Sequence, residues 1–474
     1  MPPAAGRSPA LRVGRRFEPA LRRIAASLLL LSALGARPAR ATLDDPASRV
    51  RTTTLANGMT VLTLVDSTTP VVSLQIWVKA GSRDETRYTG IAHLFEHMMF
   101  KGSTNLPPER HAQLLEARGG RVNAFTTNDV TAYFEDLPPD ALPLALALEA
   151  ERFANLDISE KTLASERQVV LEERRLRTED DPQGRLLEQL FATTFIAHPY
   201  RWPVIGWRSD VEAVGVPQCR AFFDTYYAPN DLVMVIVGSF DEADALRRVQ
   251  ESFGKMKPAA EIPRNPTQEP AQRGERRAVV HFDVRAPVVA AAWHAPKAGD
   301  PDAPALEVLG EILSSGRSSR LYERLVYREQ LALAAAGGYW DLASAGLFYA
   351  YVAVRPGVSP DAAERSLLAE VERLRREEVG ADELAKAKKQ IEVGIVSGLT
   401  TTHGLASRFA GETILYGRIR PLEERLAELE AVTAADVERV AKTHLAPEGR
   451  NVVRLQREGD ASAGAAPPRG RKAP

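Results

Sequence analysis

The most informative segment of the chain reads Gly90-Ile-Ala-His-Leu-Phe-Glu-His-Met-Met-Phe100. Most of its residues are good helix formers, so the segment predicts a helix. His93 and His97 are four positions apart and project from one face, where two imidazoles can bind one zinc ion. Glu96 stands beside them, in the order His-x-x-Glu-His, and can accept a proton from a metal-bound water molecule. The pattern also arises by chance, and two histidines at this spacing can be ordinary surface or core residues.

A catalytic zinc site needs a third protein ligand, which leaves the fourth position for water or substrate. The candidate segment reads Glu166-Arg-Gln-Val-Val-Leu-Glu-Glu173. Glu166 and Glu173 are seven residues apart, which is two helical turns, so they share one face of a helix. One of them can bind the metal while the other stands behind the ligands. A glutamate-rich helix is more often a solvated face, so this segment needs further support.

The composition of the 474-residue chain restricts the classes of protein that remain. Hydrophobic residues make up 44% and charged residues 26%, which is typical of a soluble globular protein and excludes extensive disorder and a polytopic membrane protein. The formal net charge of -1 gives no case for nucleic-acid binding. Cys219 is the only cysteine, so a metal must be held by His, Asp or Glu.

The first 41 residues differ from the rest of the chain. They contain eight arginines, one acidic residue (Glu18) and the apolar or small run Ile24–Leu34, and Ala39-Arg-Ala41 fits a small-x-small cleavage site. Residues 1–41 are therefore typical of a secretory signal, and we predict an exported, periplasmic protein without a stable membrane span. An uncleaved anchor is the alternative, but the 11 residues of the run are too few to span about 30 Å of hydrocarbon. Cleavage removes eight positive charges and one negative, so the mature chain carries a net charge of -8.

Two halves of similar length, 45–256 and 278–456, are separated by a segment with no apolar periodicity. This segment, 257–277, is rich in Pro, Glu, Gln and Arg, and we interpret it as a linker. Each half opens with a Pro-Val-Val segment and ends with a helical pattern, an Ala-Pro turn and an apolar strand, so the halves resemble each other. Chance similarity of two local segments is the alternative.

Strand and helix patterns occur in blocks rather than in strict alternation. In the first half, helical spacing occurs in Leu142–Asn155, Glu160–Thr178 and Pro182–Ile196. The apolar runs near the two ends of this half are typical of strands. We therefore expect an α+β fold of two homologous domains, each an antiparallel-rich sheet packed with helices. The last residues, 457–474, are rich in Ala, Gly, Pro and basic residues, and we expect a disordered tail.

The chain contains both the histidine segment and the glutamate segment described above, and it resembles the M16 family of metallopeptidases, the inverzincins. It is most similar to short bacterial members with two homologous domains per chain. The resemblance covers roughly residues 50–456. The motifs that carry it are Leu55-Ala-Asn-Gly-Met-Thr-Val61, Gly81-Ser-Arg-Asp-Glu85, His93–His97, Asn123-Ala-Phe-Thr126, Glu166–Glu173, His198-Pro-Tyr200 and Pro203-Val-Ile-Gly206. It implies one Zn²⁺ per chain and hydrolysis of peptide bonds in extended peptides or unfolded segments.

The resemblance also assigns a role to each residue of the predicted site. The zinc ligands of the family correspond to His93, His97 and Glu173. The general base corresponds to Glu96, and the carboxylate behind the ligands corresponds to Glu166. The site is therefore expected to activate a water molecule for attack on a peptide carbonyl.

The substrate-binding strand of the family corresponds to Asn123, Ala124 and Phe125. In this mode of binding, an extended peptide adds to the edge of a sheet and is held by main-chain hydrogen bonds. Such a site demands an unfolded peptide and reads its sequence weakly. Asn123 can alternatively be a turn residue.

The second half departs from the catalytic pattern. Its segment equivalent to the zinc helix, Leu306-Glu-Val-Leu-Gly-Glu-Ile-Leu313, contains no histidine, which is usual for the wall-forming second domain of the family. Self-sufficient members also carry an Arg and a Tyr there that steady the substrate carbonyl and the oxyanion. The matching positions are Val326 and Leu333, which cannot donate a hydrogen bond. The neighbours Tyr327 and Arg328, or Tyr339, are candidate substitutes.

Some bacterial members divide the site between two chains, one with zinc and one with the Arg/Tyr pair. We therefore predict that this zinc metallopeptidase is the zinc-bearing half of a heterodimer with a zinc-less M16 chain. A homodimer or an autonomous monomer is the alternative. A non-catalytic or peptide-binding assembly subunit is a further alternative, against which the complete set of predicted ligands argues, because a scaffold has no need of an open metal site.

Overall fold

The computed structural model describes residues 45–458, which lie in one compact unit. The predicted secretory signal, 1–41, lies outside the described residues, and so does the predicted tail apart from residues 457 and 458. Both therefore stay predictions. Among residues 45–458, the structure shows no helix that is long and apolar enough to cross a membrane.

The first half combines one mixed sheet with helices, most of which pack on one face of that sheet. Its strands and longer helices are β1 (Arg51–Thr54), β2 (Thr60–Val65), β3 (Val72–Val78), α1 (Ile91–Met98), α2 (Arg110–Glu116), β4 (Arg121–Thr126), β5 (Thr131–Leu137), α3 (Leu142–Asn155), α4 (Glu160–Arg174), α5 (Pro182–Thr194), α6 (Arg208–Ala213), α7 (Val216–Tyr226), β6 (Leu232–Gly238) and α8 (Glu242–Ser252). The strand order is β1-β2-β6-β3-β5-β4, so β4 lies at one edge. Neighbouring strands are antiparallel except for β2 and β6, which are parallel.

The second half repeats this arrangement. Its elements are β7 (Arg276–His281), β8 (Val288–Ala295), α9 (Ala303–Ser314), a π-helical turn (Tyr322–Arg328), β9 (Ala332–Trp340), β10 (Gly346–Val354), α10 (Pro360–Arg376), α11 (Ala381–Gly398), α12 (Thr402–Tyr416), α13 (Leu422–Ala431), α14 (Ala434–His444) and β11 (Arg450–Gln456). The strand order is β7-β11-β8-β10-β9, which matches β2-β6-β3-β5-β4 of the first half, including the one parallel pair. The predicted α+β fold of two homologous domains is confirmed.

The segment between the halves ends slightly earlier than predicted. Residues 257–275 carry no helix or strand apart from isolated bends, but β7 begins at Arg276. The predicted linker, 257–277, therefore includes the first two residues of a strand. The reason is that β7 is an edge strand whose residues alternate between half-buried and exposed, so its charged beginning looks like a continuation of the polar linker.

Each half covers the sheet of the other with one helix. From the second half, α12 packs Leu405, Phe409 and Ala410 against buried residues of the first sheet such as Trp77 and Val235. From the first half, α5 packs against β11 and its neighbours in the second sheet. Leu186 and Leu190 of α5 lie in one buried cluster with Ala290, Val453 and Leu455 of that sheet. Burial of each large apolar side chain stabilises the fold by about 1.5–3 kcal/mol, so this exchange locks the two halves together.

Candidate metal centre

Helix α1 is fixed at its N-terminus by a buried carboxylate. Glu85 accepts hydrogen bonds from the backbone N–H groups of Gly90 and Ala92, both at 2.9 Å. Gly90 has a φ of 88°, and a Cβ there would lie 2.6 Å from the carbonyl oxygen of Ile205, so only glycine fits. The direction of α1, and with it the placement of its two histidines, is therefore set by contacts with the protein itself.

Three potential ligand atoms converge between α1 and α4. Nε2 of His97 is 3.1 Å and Nε2 of His93 is 3.8 Å from Oε2 of Glu173. The three groups offer one ligand atom each within 4.8 Å of one another. Two imidazole nitrogens and one carboxylate oxygen form a donor set that suits zinc and leaves a fourth position open. The structure thus brings together the three predicted ligands in an arrangement that fits the ion.

Glu166 lies on the interior side of His97, next to its Nδ1 atom. It is 1% exposed, and its Oε2 is 3.7 Å from Nδ1 of His97. Its Oε1 is 3.5 Å from Nζ of Lys101. A carboxylate on this side favours the proton on Nδ1, which leaves Nε2 of His97 free to bind a metal.

The histidines differ in charge when no metal is bound. Burial opposes a charge on His97, but the carboxylates of Glu166 and Glu173 outweigh burial and raise the pKa of His97 to about 9. Burial and the charge of His97 lower the pKa of His93 to about 4. A metal ion must therefore displace a proton from His97, so the affinity for metal falls as the pH falls.

Glu96 is joined to the edge strand β4. Its Oε2 accepts a hydrogen bond of 2.7 Å from the hydroxyl of Thr126, the last residue of that strand. Burial raises the pKa of Glu96 against the opposing effect of this hydrogen bond. A carboxylate with a raised pKa is the stronger base, which suits the predicted role in proton transfer.

The predicted substrate-binding residues lie in the edge strand itself. Asn123, Ala124 and Phe125 belong to β4, which pairs with β5 on one side and with no other strand of its sheet. The alternative that Asn123 is a turn residue is therefore wrong. Oδ1 of Asn123 accepts a hydrogen bond of 2.9 Å from the N–H of Ala124, so a local side chain occupies a main-chain group that an added strand would use. Peptide binding by these residues stays a prediction.

The structure adds Arg177, which sequence reasoning missed. Helix α4 continues into a π-helical turn, Arg175–Glu179. From this turn, Nη1 of Arg177 reaches Oε1 of Glu173 at 3.0 Å. The available signal was the spacing of four residues between an acidic ligand and a basic side chain.

The candidate substitutes for the Arg/Tyr pair are engaged elsewhere or exposed. Arg328 pairs with Glu323 at 2.9 Å, and Tyr339 donates a hydrogen bond of 2.7 Å to the carbonyl of Pro296. Tyr327 is 68% exposed. The two matching positions themselves are apolar: Val326 packs against the core of the second half, and Leu333 is 55% exposed at the start of β9.

A second buried group, His111, Glu135 and Glu149, also has ligand-type side chains within 4.8 Å of one another. Arg152 donates a hydrogen bond of 2.8 Å to Glu149 and one of 3.3 Å to Glu135. The guanidinium supplies the positive charge that a metal ion would otherwise bring. We interpret this group as an internal charge network.

The comparison with known proteins agrees with this geometry. The family model described as Insulinase (Peptidase family M16) matches residues 60–206, which include α1 and α4. The model described as Peptidase M16 inactive domain matches residues 214–391. Zinc protease PqqE of Helicobacter pylori is 32% identical over 396 residues, which are 82% of this chain and 89% of that protein. The chain belongs to peptidase family M16.

Further relatives and structures of the M16 family support the assignment. An uncharacterized zinc protease of Mycobacterium tuberculosis is 31% identical, over 84% of this chain and 92% of that protein. The crystal structure of a protease from Helicobacter pylori has a TM-score of 0.83 at 30% identity, and covers 86% of this chain and 99% of that one. The resemblance inferred from the motifs is thereby confirmed.

Proposed function

We propose that this M16 protein is a zinc endopeptidase that hydrolyses extended peptides or unfolded segments. The observation that carries the proposal is the convergence of His93, His97 and Glu173 within 4.8 Å beside the carboxylate of Glu96. A set of three protein ligands is typical of catalytic zinc, whereas structural zinc is closed by four. The relatives named zinc proteases support the same activity.

Each residue of the centre has a chemical task. Zn²⁺ held by the three ligands would supply Lewis acidity toward water and the scissile carbonyl. Glu96, fixed through one oxygen by Thr126, takes a proton from the attacking water and passes it to the leaving nitrogen. Glu166 keeps His97 in the orientation that metal binding needs.

The edge strand β4 supplies the proposed substrate site. A peptide that adds to this edge would compete with the side chain of Asn123 for the N–H of Ala124. Thr126 is the last residue of β4 and contacts Glu96, so a peptide bound along β4 would extend to the side chain of the proposed base. Main-chain recognition predicts low sequence preference and no cleavage of folded proteins.

The test of the proposed activity uses the purified chain without its first 41 residues, loaded with zinc. We expect one zinc per chain by elemental analysis and cleavage of unstructured peptides by the protein, alone or with its partner. A folded sample that takes up no zinc would favour the alternative of a non-catalytic or peptide-binding assembly subunit.

We further propose that the active form is a heterodimer with a zinc-less M16 chain that carries the Arg/Tyr pair. Val326 and Leu333 support this, because neither side chain can stabilise an oxyanion. Isolation of the active fraction from the native host should yield two related polypeptides. A single polypeptide in that fraction would instead support a homodimer or a monomer.

Export to the periplasm is proposed from residues 1–41. Mass spectrometry of the protein from its host should then show an N-terminus just after Ala41. Protein that retains these residues in the cytoplasm would contradict export.

A further inference from the structure

The two oxygens of Glu173 have different partners. Oε2 is 3.1 Å from Nε2 of His97 and 3.8 Å from Nε2 of His93, whereas Oε1 is 3.0 Å from Nη1 of Arg177. The ligand carboxylate is therefore held from both sides. It cannot rotate about its terminal bond without breaking the ion pair with Arg177.

The backbone that carries Arg177 is fixed independently of its side chain. Arg174 is buried just before the π-helical turn Arg175–Glu179 and donates a hydrogen bond of 2.7 Å to the carbonyl of Gly206. Gly184 lies so close that a Cβ there would be 1.9 Å from the carbonyl oxygen of Arg177. The turn thus places Arg177 at a defined distance from the metal centre.

Stability alone does not account for the contact. The side chain of Arg177 is 77% exposed and that of Glu173 is 19% exposed. Exposed ion pairs contribute about 0–1 kcal/mol, so the pair adds little to folding. Arg175, on the same turn as Arg177, forms ion pairs with Glu172 and Asp180 instead. Neither of these acidic residues is a predicted metal ligand.

We propose that Arg177 is a positioning residue of the metal centre, which holds Glu173 with one oxygen turned toward the two histidines. The inference rests on the proposed function. Arg177 acts on Glu173 from the solvent side as Glu166 acts on His97 from the interior. Residues that orient metal ligands typically change metal affinity or activity by about 10–100-fold when they are replaced.

The test compares Arg177→Gln, Arg177→Lys and Arg175→Gln with the wild type. Zinc affinity is measured by competition with a chromophoric chelator, and kcat and KM are measured on an unstructured peptide at saturating zinc, in the form that is active. We expect Arg177→Gln to bind zinc about 10–100-fold more weakly, with KM unchanged because β4 holds the peptide. Arg177→Lys should recover part of the affinity, because it keeps the charge but not the planar fork. Arg175→Gln should match the wild type.

Wild-type zinc affinity in Arg177→Gln would overturn the proposal, whatever its activity, because the residue would then act on substrate or not at all. An equal loss in Arg175→Gln would also overturn it, since the effect would be one of general charge. If the wild type itself binds no zinc, the proposed function fails and the inference falls with it. Zinc-binding, active wild type with an unaffected Arg177→Gln variant overturns the inference alone.

Discussion

Helices α1 and α9 occupy equivalent places in the two halves and share one apolar pattern. The buried residues of α1 are Ile91, Ala92, Leu94, Phe95 and Met98. Residues buried at the same spacing in α9 are Ala305, Leu306, Val308, Leu309 and Ile312. Aligned on these positions, the two histidines and the base of α1 correspond to Glu307, Glu311 and Gly310. The apolar face specifies the fold in both halves, while only the polar face of α1 carries candidate metal ligands.

The spacing between helix and edge strand differs as well. In the first half, Glu96 bridges from α1 to Thr126 in β4 through a hydrogen bond of 2.7 Å. In the second half, a Cβ on Gly310 would lie 3.1 Å from the Cα of Gly338 in β9. At Gly310, a side chain would therefore need α9 or β9 to shift. A metal centre in this fold therefore needs a gap beside the helix in addition to ligands on it.

Among substitutions in α1 and α9, removal of a metal ligand should have the largest effect on zinc content and peptide hydrolysis. We expect His93→Ala to lose zinc and all peptide hydrolysis, because two protein ligands do not hold a catalytic ion. Glu307→Ala, at the equivalent position of α9, is the matched control and should keep both. Elemental analysis and peptide hydrolysis are the measurements. Retention of one zinc per chain in His93→Ala would contradict the assigned ligand set.

Loss of the base should separate catalysis from metal binding. We expect Glu96→Gln to lower kcat by about 10²–10⁴-fold, because it removes the proton acceptor but keeps an oxygen for Thr126. Zinc content should stay at the wild-type level. Glu311→Gln in α9 serves as the control and should leave kcat unchanged. Loss of zinc in Glu96→Gln would argue against the role of general base.

Local patterns explain what the sequence predicts well. The placement of His93 and His97 on one face, and that of Glu166 and Glu173 on another, follows from spacings of four and seven residues, which a helix translates directly into shared faces. The repeat predicts the second sheet in the same way, because each half contains the same order of local patterns.

Long-range and register effects explain the rest. An amphipathic pattern shows that α5 and α12 bury one face, but not that each covers the sheet of the other half. The helical spacing of Glu160–Thr178 predicts one continuous helix, whereas the structure changes to a π-helical turn at Arg175. This change of register has no local sequence signal, whereas the contact of Arg177 with Glu173 follows the ordinary spacing of four residues.

An attempt to rebuild the base in the second half should fail through packing. We expect Gly310→Glu to lower the free energy of unfolding by about 1–3 kcal/mol, because the new side chain must displace β9. Gly394→Glu in α11 is the control, since a Cβ there meets nothing within 4 Å and glutamate is the better helix former. Denaturant unfolding compares the two. A Gly310→Glu variant as stable as wild type would show that the gap beside α9 opens easily.

A further difference between the halves lies in the row of side chains that each sheet turns toward its core. The core-facing row of β10 is apolar, with Phe348, Ala350 and Val352. In the first half, burial raises the pKa of Glu149 to about 8, and burial also raises the pKa of Glu135. Burial lowers the pKa of His111 to about 3. At pH 7, the carboxyls of Glu135 and Glu149 then share one proton and carry one negative charge. The positive charge of Arg152 balances it, so the network is neutral.

Replacement of Glu149 by Gln should make stability less dependent on pH. A carboxyl whose pKa is higher in the folded state binds more protons there, so wild-type stability falls as the pH rises from about 4.5 toward 8. Glu149→Gln lacks this loss, so we expect it to gain on the order of 1 kcal/mol per pH unit relative to wild type between pH 5 and pH 8. The control is Glu151→Gln in the same helix. The pKa of Glu151 is lowered by hydrogen bonds from Ser103, Asn155 and Asn105, which outweigh the opposing effect of burial. Its contribution is therefore already complete at pH 5, and its difference from wild type should stay constant. Thermal unfolding across this range distinguishes the two variants, and a pH-independent difference for Glu149→Gln would mean that the buried pair is already ionised.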